Sequence, residues 1–236
     1  KKRDQIKHTN KNFAKSINSF LSRLHWRSHF IQKLEDQPSI EHTSFIPVYD
    51  QIREKDEEKL EAWIEGKTGV HFIDACMIYL RNYGWINFRM RAMLASFASY
   101  NLWLDWRYFA PRLAALFTDF EPGIHYSQIQ MQSGTTGINT IRMYNPYKQA
   151  MDQDPLGKFI KSQIPEVKNF PPAFFHNPPK KSLNVNLFDN EFQKEIINVK
   201  ETAQYARKKI FDIRKSQEHK ILAKNVYLKH GSRGRN

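Results

Sequence analysis

A single cysteine, Cys76, stands among 236 residues, which excludes a disulfide within the chain, a thiolate zinc site and an iron–sulfur cluster. No apolar run approaches the roughly eighteen residues that a membrane span requires, and no signal-peptide pattern opens the chain. A reducing, cytoplasmic setting is therefore expected, with no membrane partner and no metal. Strand-like alternation of apolar and polar residues is nearly absent, so the fold class is mainly α. Glycine is sparse, at nine residues. The polar loop from Gly134 through Thr135 and Thr136 to Gly137 lacks the Gly-x-x-x-x-Gly-Lys spacing of a phosphate-cradling loop. No Pro/Gly/Ser linker, internal repeat or low-complexity tract divides the sequence. Acid is short as well: 24 Asp and Glu face 37 Lys and Arg, a formal net charge of +13. That balance points to an anionic partner, nucleic acid before membrane.

What is present is concentrated between Leu60 and Pro146. Gly66-Lys67-Thr68-Gly69 forms a turn, and Val70 to Leu80 after it is apolar nearly all round, as befits a helix in the middle of a core. Asp74 sits alone in that run. A buried carboxylate needs a hydrogen-bonding or cationic partner, so Asp74 is either a satisfied structural acid, the plainer reading, or a catalytic one. Asn82-Tyr83-Gly84 breaks this helix, and Trp85 begins another that runs to about Asn101. Arg89 and Arg91 lie two apart and project about 200° from each other. One is free to face an internal anion while the other faces a groove or solvent. Trp63, Trp85, Trp103 and Trp106 place four of the five tryptophans within forty-four residues. Core filling explains them, and a redox or stacking array is the functional alternative.

Upstream, Lys1 to Asn18 is basic and polar. Phe20, Leu21, Leu24, Phe30, Ile31 and Leu34 then recur at helical spacing. Arg23, His25, Arg27, His29 and Lys33 place cations beside Trp26, a combination that suits both a stacked base and a phosphate. Arg53 to Glu65 reads as a charged, solvent-facing helix with Leu60, Trp63 and Ile64 buried. Asp119-Phe120-Glu121 sets two acids around an aromatic before a Pro-Gly turn. Asp152 to Ile164 reads as a short helix, Pro165 to Lys181 as extended proline-rich chain, and Glu191 to Ala223 as one long basic amphipathic helix or two. Two units are expected: a helical domain over residues 1–187, and a basic C-terminal helix and tail over 188–236.

Taken in order, Trp63-x-Glu65-Gly66-Lys67-Thr68-Gly69, Asp74-Ala75-x-Met77, Gly84-Trp85-x-x-x-Arg89-x-Arg91 and Asp105-Trp106-Arg107 resemble the C-terminal FAD-binding domain of the DNA photolyase and cryptochrome family. The likeness continues through Phe117-Thr118-Asp119-Phe120-Glu121, Tyr144-Asn145-Pro146 and Phe159-Ile160-x-x-x-Ile164-Pro165-Glu166, and covers about residues 16 to 170. It implies an all-helical domain of orthogonally packed helices with long connecting loops, holding FAD. It also implies light-driven repair of pyrimidine dimers in DNA, or blue-light reception. By position, Arg91 and Asp119 match the arginine–aspartate pair beside the isoalloxazine ring. Phe120 and Glu121 continue that motif, and His125 falls near the position facing flavin N5. Trp26 and Arg27 match the pair at the mouth of the lesion pocket, Arg27 counting also as a cofactor contact, and Trp85 and Arg89 match residues of the same rim. Trp106 matches the middle member of the family's electron-transfer chain. The flavin-proximal position falls at Gln128 or Ile129, with Trp103 or Tyr126 as its substitute.

The departures are specific. Dimer photolyases carry a carboxylate where this chain has Arg23, and an asparagine where it has Phe88. The Thr-Ser-x-x-Ser-type loop that grips the FAD phosphates and the N-terminal antenna domain of full-length members are not in this sequence; in a fragment they would lie upstream. Two other functions compete: a cryptochrome-like receptor without dimer repair, which Arg23 and Phe88 favour, and a cofactor-free basic nucleic-acid-binding helical module. A buried Arg91–Asp119 pair would make Asp119→Asn cost about 3–5 kcal/mol.

Overall fold

The computed structural model describes residues 11–177 and 194–230. Helix α1 (Lys11–Asp36) leads and is followed by two short 3₁₀ turns, Pro38–Glu41 and Pro47–Gln51. Then come α2 (Glu57–Glu65), α3 (His71–Tyr83) and α4 (Phe88–Ser96). The last of these widens directly into a π-helical turn, Phe97–Asn101. Helices α5 (Trp106–Ala114), α6 (Pro122–Ser133), α7 (Pro146–Gln153), α8 (Lys158–Gln163) and α9 (Ala173–His176) complete the central body. Helices α10 (Val199–Lys215) and α11 (Gln217–His230) close the described chain. No strand forms among the described residues; one isolated bridge joins Glu54 and Leu104.

Side-chain caps set most of these boundaries. Asp56, Asn87, Asp105, Glu121, Asn145 and Asn198 each accept hydrogen bonds from first-turn amides of the helix that follows, satisfying donors that have no partner within the helix. Helix α3 runs through the centre: His71 to Met77 and Leu80 are all buried, so it is apolar all round, as expected. Gly84 ends it at φ 67°. A Cβ there would also stand 2.5 Å from the Thr118 side chain, so both conformation and space call for glycine.

Several boundaries differ from the sequence reading. Asp152 to Ile164 is two helices, because Asp154 leaves helical geometry and its carboxylate accepts from the amides of Phe159 and Ile160, capping α8. Of the two alternatives for the C-terminal stretch, two helices form, beginning at Val199 and divided at Ser216, whose backbone is extended. The proline-rich stretch makes a 3₁₀ turn at Pro165–Val167 and carries the short α9; Pro178 and Pro179 lie outside the described residues. So do the expected boundary at 187/188, the first ten residues and the tail after His230. The largest correction concerns Arg53. It is buried, not solvated, and its Nε and Nη2 donate to the carbonyls of Ser99 and Ser133.

Helix α1 packs across α6, and the closest approach is at Gly123. A Cβ there would meet Ile31 Cα at 2.8 Å and the Phe30 carbonyl oxygen at 3.0 Å. Both obstacles are backbone, which cannot swing aside. Gly123→Ala is expected to lower unfolding free energy by about 1–3 kcal/mol, read from denaturant melts. A parent-like midpoint would mean that α1 is free to retreat.

Candidate functional site

Between the Gly84–Phe88 segment, α4, the end of α5 and α6 lies a cavity of about 320 Å³. Its walls are mostly apolar, with Ile86, Ala92, Ala95, Leu113, Phe117, Ile124 and Ile129 facing it. The polar lining comes from Arg91, Asp119, Glu121, His125, Gln128 and Gln132. Apolar walls with a few fixed polar groups are the usual build of a small-molecule site.

Arg91 is held from three sides. Its Nε donates to the Ile86 carbonyl at 2.7 Å, and Nη2 donates to Asp119 Oδ2 at 2.9 Å. The guanidinium lies 4.2 Å from the Phe117 ring centroid. Arg89, two residues away, is exposed, so the two arginines divide as their helical spacing required. The pair is not buried, however: the Arg91 and Asp119 side chains are 25% and 48% exposed. Water screens a pair in that position. Asp119→Asn is therefore expected to cost about 1 kcal/mol or less, not the 3–5 of a buried pair, as a thermal melt would show.

Two further polar residues are already committed. Glu121 accepts from the amides of Gly123 and Ile124 and so caps α6. His125 donates from Nε2 to the Ala110 carbonyl at 2.9 Å. That bond fixes the proton on Nε2, and burial pushes the imidazole down to about 4, so the ring is neutral at pH 7. The Gln128 and Gln132 amide oxygens are buried and have no hydrogen-bond partner. Sequence reading noted Gln128 only as a replaced tryptophan and missed Gln132. Their i, i+4 spacing on an otherwise well-packed helix was the available signal.

The aromatic candidates separate. Tyr126 contacts both His125 and Phe120, with ring centroids 5.2 and 6.4 Å away, and Trp106 lies 6.4 Å beyond it. A continuous aromatic path thus leads from the cavity wall to buried Trp106, whose Nε1 donates to Ser44 Oγ. Trp103 is not on this path. It adopts φ 57°, donates to the Ile52 carbonyl, and packs on Arg53 and Tyr205 in a second cluster, away from the cavity lining. Trp85 and Phe88 line the cavity with 51% and 58% exposure, and Phe120 is also exposed. Arg23, Trp26 and Arg27 lie on the exposed side of α1, where Trp26 stacks on Phe30, and none of the three lines the cavity. The expected Arg27 cofactor contact is therefore not supplied by this cavity.

An isoalloxazine ring has two flat apolar faces and an edge of hydrogen-bonding atoms. Apolar walls and a pinned guanidinium fit such a group. A separate set of polar residues gives the plainer reading of Asp74: Thr68 N and Oγ1 donate to Oδ1, and Gly69 N donates to Oδ2.

A family model described as the FAD binding domain of DNA photolyase matches residues 20–219. The deoxyribodipyrimidine photo-lyase of Vibrio cholerae is 32% identical over 165 residues, covering 67% of this chain and 35% of that protein. Cryptochrome-2 of Gallus gallus is 29% identical over 163 residues, covering 68% of this chain and 28% of that one. Among solved structures, an archaeal photolyase from Sulfolobus tokodaii with two FAD molecules superposes with a TM-score of 0.72 at 31% identity, covering 82% of this chain and 44% of that one. The chain spans about a third of the length of the curated relatives it matches.

Proposed function

This chain belongs to the DNA photolyase and cryptochrome family of FAD-binding domains, and on that footing we propose that it works as a light-driven repair enzyme for pyrimidine dimers in DNA. The cofactor-free reading is set aside by the family match. The observation that carries the proposal is the cavity, walled by Arg91 and His125 and rimmed by the exposed rings of Trp85 and Phe88. FAD, when bound there, would supply light-driven electron transfer. Arg91 keeps a fixed positive charge on the cavity wall, anchored by Asp119 and the Ile86 carbonyl. Trp85 and Phe88 offer faces on which an extruded base stacks, which offsets the cost of taking it out of the duplex. Exposed Arg89, and Arg23 and Arg27 on α1, meet phosphates, and the net charge of +13 makes that contact salt-dependent. Tyr126 and Trp106 form the electron route into the cavity wall.

A cryptochrome-like receptor is the second reading. It is favoured by Phe88, an exposed ring where dimer photolyases carry asparagine. The two are separated by illuminating the reduced, FAD-loaded chain with an oligothymidylate containing a cyclobutane dimer. Repair predicts that intact thymines return in the light and not in the dark, and that Trp85→Ala weakens the binding of damaged more than intact strands. Bound flavin with no thymine recovered would leave the receptor reading standing.

A further inference from the structure

Helices α10 and α11 carry nine Lys and Arg against three Asp and Glu over residues 199–230, in a chain whose net charge is +13. A charge run on a helix is most simply a solvated face, and two observations separate this pair from that reading. The first is pairing. On α2 and its flanks the exposed cations are matched, Lys55 with Glu57, Lys59 with Asp56 and Lys67 with Glu65. Among the described residues, no cation of α10 or α11 enters an ion pair. The second is the rings set between the cations. Tyr205, Phe211 and Tyr227 are 50%, 56% and 60% exposed, more than a ring kept for packing needs. Lys209 Nζ lies 5.5 Å from the Tyr205 ring centroid, and Lys215 Nζ lies 4.4 Å from that of Phe211. Lys220 and Lys224 fall seven and three residues before Tyr227, on the same side of α11.

The body of the protein holds this face in place. Val199, Ala206 and Ile210 of α10 are buried, and Asn101 Nδ2 donates to the Val199 carbonyl and to Thr202 Oγ1. Helix α11 is fixed near both ends, where His219 Nε2 lies 2.9 Å from Tyr49 Oη and His230 Nε2 lies 2.9 Å from Gln37 Oε1. Asn101 closes the π-helical turn that follows α4, so α10 sits at the far end of the segment that Phe88 begins, about 20 Å from the cavity mouth. No residue of either helix lines the cavity. The family match ends at residue 219, in the first turn of α11, so the likeness assigns no role to that helix's outer face. A row of exposed rings, each with an ammonium beside it, suits a flexible strand whose bases stack while its phosphates meet the cations. A duplex hides its bases from such rings. We propose that α10 and α11 form a second nucleic-acid surface, which holds undamaged single-stranded DNA apart from the cavity. The proposal requires neither flavin nor a lesion.

The test uses the full 236-residue chain without flavin and a labelled, undamaged oligothymidylate, with fluorescence anisotropy read across a salt series. Lys209→Gln/Lys215→Gln/Lys224→Gln removes three phosphate contacts, so the slope of log affinity against log salt is expected to flatten by about 2. Phe211→Ala/Tyr227→Ala is expected to weaken binding by at least about tenfold at unchanged slope, because stacking carries no charge. Lys55→Gln/Lys59→Gln/Lys67→Gln removes the same charge from the paired region around α2 and is expected to keep the parent's slope. The substituted side chains of α10 and α11 are exposed, and unfolding melts establish that each variant folds. If the ring variant does not fold, the contrast between the two lysine triples decides alone. Equal losses in those triples would assign the effect to net charge and overturn the proposal, as would a ring variant that binds like the parent. A parent chain that ignores the oligonucleotide but binds phosphatidylglycerol vesicles gives the face to a lipid surface. One that prefers oligouridylate gives it to RNA, and either outcome overturns the assignment. Failure here leaves the repair reading standing, because that assay follows a dimer in the light.

Discussion

Asp74→Ala is expected to destabilise the chain by about 3–5 kcal/mol. The carboxylate is 2% exposed and accepts three hydrogen bonds, from Thr68 N, Thr68 Oγ1 and Gly69 N. These tie the Gly66–Gly69 turn to the first turn of α3, the helix at the centre of the core. Alanine leaves two buried amides and a hydroxyl without their acceptor, and each such loss costs about 1–3 kcal/mol. A urea melt reads the effect as a lower midpoint at unchanged slope. A loss under about 1 kcal/mol would mean that water replaces the carboxylate. The acid also leaves a signature in pH. Burial is the larger influence on Asp74 and raises it to about 7, against the pull of the donated hydrogen bonds. Its folded value therefore lies above its unfolded one, and the folded state holds the extra proton between about pH 4 and 7. Its contribution is complete below pH 4 and is lost as pH rises through 7. His71 and His125, both pushed down to about 4 by burial, slope the other way and weaken the fold as pH falls below 6.5. Those slopes are common to parent and variant. The difference between their pH–stability curves isolates Asp74 and is expected to shrink from pH 4 to pH 7.

Arg53→Ala is expected to cost about 3–5 kcal/mol, for a different reason. Arg53 lies where two helical segments end. Ser133 closes α6 and Ser99 sits in the π-helical turn after α4, and both donate nothing here but accept, through their carbonyls, from the one guanidinium. A cation suits the negative end of a helix, where carbonyls lack partners. The guanidinium also lies 4.8 Å from the Trp103 ring centroid. Trp103 holds the left-handed φ of 57°, a strained conformation for a bulky side chain, so the stack helps to hold a residue that would otherwise relax. Alanine removes both donors, opens a void and frees the indole. Arg53→Lys is expected to recover only part of the loss, because an ammonium cannot reproduce the forked donation or the flat stack. Tryptophan fluorescence and a urea melt follow both effects together. A lysine variant as stable as the parent would show that charge alone is what the position requires.

Much of this was legible in the residues themselves. The all-round apolar run at α3, the Gly84 stop, the opposed directions of Arg89 and Arg91, and the structural reading of Asp74 all follow from helical period and from the cost of burying charge, which are local properties. The likeness of the ordered motifs to photolyases also reached Arg91 opposite Asp119 before any coordinates. Other features could not be read along the chain. Arg53 looks like any solvated cation, because the carbonyls that hold it lie 46 and 80 residues away. Trp103 and Trp106 are three residues apart yet belong to different clusters, and the chain turns at Trp103 itself, which holds the left-handed conformation. The exposure of the Arg91–Asp119 pair depends on which walls close over it. Composition and period decided what is buried and what is helical, because those depend on each residue and its near neighbours. Pairing across the fold decided which polar atoms are satisfied and which are not, because hydrogen bonds depend on where distant segments meet.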